Sequence, residues 1–141
     1  MEIKIAQGLA SVPQARDIRE EVFVREQGFQ EEFDTIDHRA YHVLVYEGDR
    51  AVATGRTFPK SEAGEIWKLG RIAVRKDCRK LGLGAVVVAA LEDTARRYGA
   101  SVAELSAQIR VQGFYEKLGY RAEGESYLDE GCPHISMRRK L

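Results

Sequence analysis

The chain has 141 residues, 44% of them hydrophobic, and its 22 basic and 22 acidic residues leave no formal net charge at pH 7. This length fits a single domain over residues 1–141 with a core of its own. The neutral charge balance argues against broad binding to nucleic acid or to a membrane surface. Two cysteines are too few for a metal cluster or a disulfide framework, so no residue is assigned to a metal. The first residues form no signal-peptide core, so a cytoplasmic location is expected.

Four segments in the first half of the chain have the alternating or β-rich composition of strands. They are residues 2–7, 41–47, 51–58 and 65–75. A hairpin at Gly48-Asp49-Arg50 joins the second segment to the third. Between the first two, Pro13 follows the hydroxyl of Ser11 and predicts the start of a helix that reaches about residue 26. Gly28 and the acidic segment after it end that helix.

The second half of the chain begins with a long helical pattern over residues 82–98. Its predicted buried side carries Val86, Ala89, Ala90 and Ala95. Then come a strand over 101–109, a short helix near 111–118, and two final strands around 120–127 and 133–139. This order of elements predicts an α/β fold, meaning α+β or mixed-sheet layering, rather than a bundle or a sandwich.

The glycine-containing segment Arg79-Lys80-Leu81-Gly82-Leu83-Gly84 joins a strand to the long helix. A helix start leaves backbone N–H groups free and carries the positive end of the helix dipole, and glycine lets an anion approach those groups. The segment therefore predicts a phosphate site. It is not a Walker-type loop, because Ala85-Val86 follow Gly84, and Val87 stands where a dinucleotide fingerprint needs a small residue.

The same segment matches the Arg/Gln-x-x-Gly-x-Gly/Ala signature of the Gcn5-related N-acetyltransferase (GNAT) family. The run from Phe114 to Tyr120 resembles the second hallmark of that family, and residues 19–27 and 131–135 resemble its ElaA-like branch. The resemblance covers essentially the whole chain. It implies the acyl-CoA N-acyltransferase fold, a six- to seven-stranded mixed sheet flanked by about four helices. Two central strands of that sheet would be splayed to admit acetyl-CoA.

The resemblance also implies which residues bind acetyl-CoA. The backbone of the glycine segment would cradle the pyrophosphate, a set that comprises Arg79, Lys80, Leu81, Gly82, Leu83 and Gly84. The backbone of Ile72, Ala73 and Val74 would pair with the pantetheine arm as an added strand does. Gln108 stands where the family often has asparagine, and it would bind the cofactor or an ordered water, or serve as a structural amide.

Tyr115 is the candidate general acid, because a phenol can protonate the departing CoA thiolate. The alternative is a packed tyrosine, since Phe114 and Leu118 of the same helix are expected to face the core. The general base is less defined. The strand before the phosphate loop carries Glu65 only at its start, so Glu26, Glu104, His134 and a water relay stay open as candidates, each also interpretable as a solvated or structural residue.

An acidic segment follows the first helix, where this family commonly builds its acceptor wall. Its carboxylates are Glu26, Glu31, Glu32, Asp34 and Asp37. They would favour a cationic amine, or they form a solvated, mobile loop.

The predicted function is acetyl-CoA-dependent transfer of an acetyl group to a primary amine of a small molecule or peptide by direct attack. One alternative is a non-catalytic acyl-CoA binding or sensing module, and another is an acyltransferase for longer acyl chains. No nucleic-acid or membrane partner is expected, and a homodimer is compatible with the sequence.

Overall fold

A computed structural model describes all 141 residues and contains one seven-stranded sheet in the spatial order β1-β2-β3-β4-β5-β7-β6. The strands are β1 Glu2–Gln7, β2 Tyr41–Glu47, β3 Arg50–Pro59, β4 Ile66–Val74, β5 Val102–Gln108, β6 Arg121–Asp129 and β7 Cys132–Lys140. Only β4 and β5 pair in parallel, and all other neighbours are antiparallel. The predicted mixed sheet is confirmed, at the upper end of the expected strand number.

Three helices accompany this sheet, one fewer than the expected four. They are α1 Pro13–Arg19, which continues in π-helical turns over Glu20–Glu26, α2 Leu83–Arg97, and α3 Gln112–Lys117. Pro13 occupies the first turn of α1 as predicted, but the residue before the helix is Val12 and no side chain caps its start. The remaining short turns are 3-10 helices at Leu9–Ser11, Thr35–His38, Lys76–Cys78 and Ile109–Val111.

The sheet is covered by α2 on one face and by α1 on the other. Because strand side chains alternate, Val43 and Val45 of β2 join the α2 cluster while Leu44 joins the α1 cluster. On the α2 side, Gly55 allows the helix to come close, since a Cβ there would lie 2.6 Å from Val87 Cγ1 and 2.8 Å from Leu91 Cδ1. The central strands are thus buried on both faces.

The buried side of α2 differs in part from the predicted one. Ala90 and Ala95 are buried and Val86 packs at the margin of the core, but Ala89 is exposed. The main contacts come from the larger side chains Leu83, Val87, Val88 and Leu91.

The parallel pair β4 and β5 separates part of the way along. Pairing runs from Ile66–Val102 to Leu69–Leu105, whereas β4 continues to Val74 and β5 to Gln108 without facing each other. Within the separated part, β4 bulges against β3, so that Arg71 and Ile72 oppose one residue, and Arg71 has a φ of 51°. The bulge and the end of pairing together open a cleft between two central strands.

None of the helices is long and apolar enough to cross a membrane.

Candidate active site

A cleft of about 750 Å³ occupies the space where β4 and β5 part. Its floor is formed by residues 68–74 of β4 and 105–108 of β5. One wall comes from the end of α1 and the loop after it, including Phe23 and Phe29, and another from Asp129, Glu130 and His134 of the β6–β7 hairpin. Tyr115 of α3 lines the same cleft. Arg56 and Phe58 of β3 and Arg79 and Gly84 of the glycine segment also line it, so the fold gathers residues from many separate segments around one opening.

The glycine segment has the geometry of an anion cradle at the start of α2. Lys80 and Gly82 have positive φ angles of 70° and 76°, which turn the backbone sharply before the helix begins at Leu83. None of the backbone N–H groups from Lys80 to Ala85 donates a hydrogen bond within the chain, and the first to do so is that of Val86, to the Gly82 carbonyl at 3.4 Å. Free donors at the positive end of a 15-residue helix favour an anion.

Gly84 has a packing role that its sequence context does not show. A Cβ at this position would lie 3.2 Å from Cζ of Phe114, so the bare glycine lets α3 approach the start of α2. Phe114 itself is 37% exposed and lines the cleft, so the expectation that it faces the core is wrong, whereas Leu118 packs at the margin of the core.

The side chain of Arg79 is already engaged. Its guanidinium makes two hydrogen bonds to the carboxylate of Glu26, at 2.6 and 2.7 Å, and one to the Val74 carbonyl at 3.1 Å. The hydrogen bonds from Arg79 lower the pKa of Glu26, so this carboxylate stays ionised at neutral pH. The structure thus brings two predicted site residues together as an ion pair, which weighs against Glu26 as a proton acceptor.

The separated stretch of β4 offers an unpaired backbone edge. Ile72, Ala73 and Val74 all line the cleft, and the edge that would face β5 has no strand opposite it. The Ala73 side chain is buried, while those of Ile72 and Val74 are half-buried. An extended ligand with amide groups can pair with such an edge as an additional strand does.

Tyr115 is buried, and its hydroxyl has no hydrogen-bond partner in the chain. Its ring meets Phe114 and Tyr120 edge to face, at centroid distances of 5.0 and 6.0 Å. Burial raises the pKa of Tyr115 to about 12, so the hydroxyl keeps its proton throughout the neutral range. A protonated hydroxyl beside the cleft is a hydrogen-bond donor available to a ligand.

Gln108 faces the cleft with both ends of its amide occupied. Its Nε2 donates to Oε1 of Gln27 at 2.9 Å, and its Oε1 accepts from Nε of Arg110 at 2.9 Å. These contacts tie β5 to the end of α1, which favours the structural interpretation of this residue over a direct role in binding.

Glu104 lies outside the cleft, below the last paired residues of β4 and β5. It is buried, and Nζ of Lys60 at 2.7 Å and Nη2 of Arg138 at 2.8 Å bind its two oxygens. Burial alone would raise the pKa of Glu104, but the hydrogen bonds from Lys60 and Arg138 outweigh it and lower the pKa. A carboxylate that is ionised, doubly paired and out of reach of the cleft is unsuited to accept a proton from a substrate.

His134 is the base candidate that does line the cleft. Its Nδ1 lies 2.8 Å from the Cys132 carbonyl oxygen, and because a carbonyl only accepts, Nδ1 carries the proton. In the neutral ring Nε2 then keeps its lone pair. The ring stacks on Tyr127 at 6.1 Å and meets Phe29 at 6.4 Å, so its orientation is fixed by two aromatic neighbours.

Most carboxylates of the acidic segment are neither solvated nor free to form an acceptor wall, so the two interpretations made from the sequence are wrong in these respects. Glu32 and Asp37 are buried, and with Asp34 they pair with three arginines in one network. The arginines are Arg19, Arg56 and Arg71. Three positive and three negative groups leave this network neutral, and of the segment's carboxylates only Glu31 faces the cleft exposed and without an ion pair.

Two contacts that shape the cleft have no signal in the sequence. The carboxylate of Glu130 accepts hydrogen bonds from the backbone N–H groups of Gln30 and Glu31, at 2.9 and 3.3 Å, and so fastens the β6–β7 turn to the loop after α1. Tyr127 is hydrogen-bonded to Ser106 of β5. Both contacts join residues far apart in the chain, at separations of 100, 99 and 21 residues.

No group of three or more His, Cys, Asp or Glu side chains is placed to hold a metal ion.

Comparison with known proteins identifies the family. Residues 10–141 match the model of the acetyltransferase (GNAT) domain. The uncharacterized N-acetyltransferase YjcF of Bacillus subtilis is 39% identical over 142 residues, covering 99% of each chain. Among solved structures, Escherichia coli ElaA has a TM-score of 0.87 at 25% identity, covering 99% of both chains. An acyl-CoA N-acyltransferase from Pseudomonas aeruginosa has a TM-score of 0.86 at 25% identity, covering 98% of both. The chain belongs to the GNAT acetyltransferase family, and it is an acyltransferase with the acyl-CoA N-acyltransferase fold.

Proposed function

We propose that this protein transfers the acetyl group of acetyl-CoA to a primary amine of a small molecule or peptide. The observation that carries the proposal is that one cleft contains an unpaired strand edge and the unpartnered hydroxyl of Tyr115, and that it reaches the glycine segment, with its free N–H donors, at Arg79 and Gly84. The relatives support both halves of the reaction, since YjcF is named an N-acetyltransferase and the P. aeruginosa protein an acyl-CoA N-acyltransferase.

The donor would lie along β4 and end at the start of α2. Backbone groups of Ile72, Ala73 and Val74 would pair with the pantetheine amides. The pyrophosphate would rest on the N–H groups of the glycine segment, which comprises Arg79, Lys80, Leu81, Gly82, Leu83 and Gly84. Arg79 would attract the pyrophosphate only weakly, because its ion pair with Glu26 neutralises part of its charge.

The acceptor would react by direct attack, so that amine and thioester need only be positioned together. The amine nitrogen forms a bond to the thioester carbonyl carbon, the carbon–sulfur bond breaks, and the thiolate leaves. The attacking amine must be neutral, and Nε2 of His134 is the group best placed to remove its proton, directly or through a water.

Tyr115 would act on the leaving thiolate as a hydrogen-bond donor. With its pKa near 12, complete proton transfer to an ordinary thiolate is uphill by about 5 kcal/mol. Burial of bound CoA in the same cleft would raise the pKa of its thiol as well and reduce that difference. A donated hydrogen bond stabilises the developing charge without requiring full transfer.

The rival is a non-catalytic acyl-CoA binding module, and one observation favours it: Glu26 and Glu104 are both held in ion pairs. An amine-panel assay separates the two. Purified protein is mixed with acetyl-CoA or a longer acyl-CoA and each amine, thiol release is followed, and acylated amine is identified by mass. Amine-dependent thiol release with acetyl-CoA is expected. Tight acetyl-CoA binding with no release for any amine would favour the binding module, and preference for the longer donor would revise the acyl group.

A further inference from the structure

The donor would occupy the end of the cleft near the glycine segment, so the acceptor would bind at the other end, where a lysine has no hydrogen-bond partner. Lys68 of β4 lines the cleft, its side chain is 35% exposed, and its ammonium lies 3.9 Å from Oε1 of Glu104, beyond hydrogen-bond distance. Glu104 does not hydrogen-bond to Lys68, because Lys60 and Arg138 already bind the two oxygens of Glu104 at 2.7 and 2.8 Å.

The charges around Lys68 do not cancel. Lys60, Lys68 and Arg138 surround the single buried carboxylate of Glu104, and Arg138 also reaches the more exposed Glu123 at 3.4 Å. One positive charge is therefore in excess. The neighbouring arginine network is neutral, so within this cluster the excess falls on Lys68, the one lysine that lines the cleft. A second unpaired cation of the lining, the exposed Arg110, lies farther along the cleft beside Gln108.

Apolar side chains and open space next to Lys68 can accommodate an organic anion. Lys68 is the cross-strand partner of Phe58, so the two side chains lie on the same face of the sheet. Phe58 and Ile36 line the cleft beside it. Between Lys68 and the bulge, Gly70 carries no side chain, and a Cβ there would meet nothing within 4 Å.

The opposite rim of the cleft has the opposite charge. Glu31, Asp129 and Glu130 line the cleft, are exposed and take part in no ion pair, although the Glu130 carboxylate also accepts the two backbone hydrogen bonds described above. They stand beside His134, the group proposed to accept the amine proton. The cleft thus offers carboxylates where an ammonium would arrive and an ammonium where a carboxylate could bind.

We propose that the acceptor is an amine that also carries a carboxylate, bound with its carboxylate on Lys68 and its amine toward His134. This inference rests on the acetyl-transfer function proposed above and names the substrate class for it. In the register of the sheet, Lys68 of β4 lies opposite Glu104 of β5, and His134 of β7 lies opposite Gln108 of β5. Four residues of strand span about 13 Å, and β4 and β7 lie on opposite sides of β5, about 10 Å apart. The two residues are therefore about 16 Å apart at the backbone, and the amine and the carboxylate should be several bonds apart.

The test compares three acceptors of one chain length that differ only in the far group: ε-aminohexanoate, hexylamine and hexamethylenediamine. Wild-type protein should use ε-aminohexanoate with a kcat/KM roughly tenfold above that of hexylamine, mainly through a lower KM. Lys68→Met should remove this preference, Lys68→Arg should keep it, and Lys68→Glu should shift it to hexamethylenediamine. Lys4→Met, an exposed lysine of β1, is the matched control and should behave like wild type.

The outcomes separate the substrate class from the reaction. If wild type releases thiol with all three amines at equal kcat/KM, or if Lys68→Met retains the preference, the carboxylate site is wrong while acetyl transfer stands. If no amine in the broad panel supports thiol release, the acetyl-transfer function fails, and the inference fails with it.

Discussion

The substitution Glu26→Gln distinguishes two possible roles of Glu26. One role predicts a loss of turnover, and the other predicts tighter binding of acetyl-CoA. Glu26 holds Arg79 through two hydrogen bonds at 2.6 and 2.7 Å, and the two side chains are 32% and 37% exposed. As a general base, Glu26 would be needed for turnover. As the partner of Arg79, it instead competes with the phosphates of the donor for the same guanidinium. The substitution keeps the shape of the side chain and removes its charge.

The expected size follows from the exposure of the pair. In water-like surroundings, a carboxylate about 7 Å from a phosphate charge repels it by about 0.6 kcal/mol. Release of the exposed Arg79 pair adds up to about 1 kcal/mol. Acetyl-CoA should therefore bind roughly three- to fifteenfold more tightly to Glu26→Gln at low salt. The difference should shrink in 1 M salt, where the screening length falls to about 3 Å.

Calorimetric titration with acetyl-CoA, paired with steady-state turnover, measures both effects. Glu125→Gln changes the net charge equally at an exposed position of β6 and should leave affinity unchanged. A loss of turnover in Glu26→Gln of about a hundredfold or more, with affinity unaltered, is the signature of a lost general base. That result would refute the reasoning from the Arg79 pair.

Three further substitutions test other parts of the structure. Tyr115→Phe should lower kcat by about a hundredfold and leave acetyl-CoA affinity unchanged; equal turnover would remove the hydroxyl from the mechanism. Gly55→Ala should lower the free energy of unfolding by about 1–3 kcal/mol, because its Cβ would lie 2.6 Å from a valine methyl, while Gly70→Ala, which meets open space, should change it little in the same urea titration. Burial alone would raise the pKa of Asp37, but hydrogen bonds from two arginines outweigh it and lower the pKa. The stability from its ionised form is therefore present above pH about 4 and lost as pH falls. Asp37→Asn should cost about 3 kcal/mol at pH 7 and less at pH 3, and a pH-independent deficit would contradict the ion-pair explanation.

Local patterns were enough to predict most elements and the free backbone donors at the start of α2. Alternation marked the strands, Pro13 marked the start of α1, and the glycines of the segment before α2 marked a helix start with free donors. Each of these signals depends on residues close together in the chain, so no knowledge of packing was needed.

Errors arose where the partner of a residue is distant in sequence. Nothing in the sequence indicated that the carboxylates of Glu32, Asp34 and Asp37 are paired, because their arginine partners lie 13 to 39 residues away in the chain. The two extremes are the pairs Arg19–Glu32 and Arg71–Glu32. Phe114 was misplaced because α3 has only six residues, too few for a helical period to define a buried face. The excess charge on Lys68 was equally hidden, since it depends on three other strands or loops meeting at Glu104.

The most direct test of the acyl-CoA site is a calorimetric titration of wild type, Gly82→Val and Gly48→Val with acetyl-CoA. Both glycines have positive φ angles, of 76° and 62°, and a Cβ at either would meet nothing within 4 Å, so the two substitutions strain the backbone alike. Gly82 lies in the proposed phosphate cradle and Gly48 in the β2–β3 hairpin. We expect wild type and Gly48→Val to bind one acetyl-CoA with equal affinity and Gly82→Val to lose at least tenfold. Equal affinity for Gly82→Val, or no binding by wild type, would contradict the assignment of this cleft.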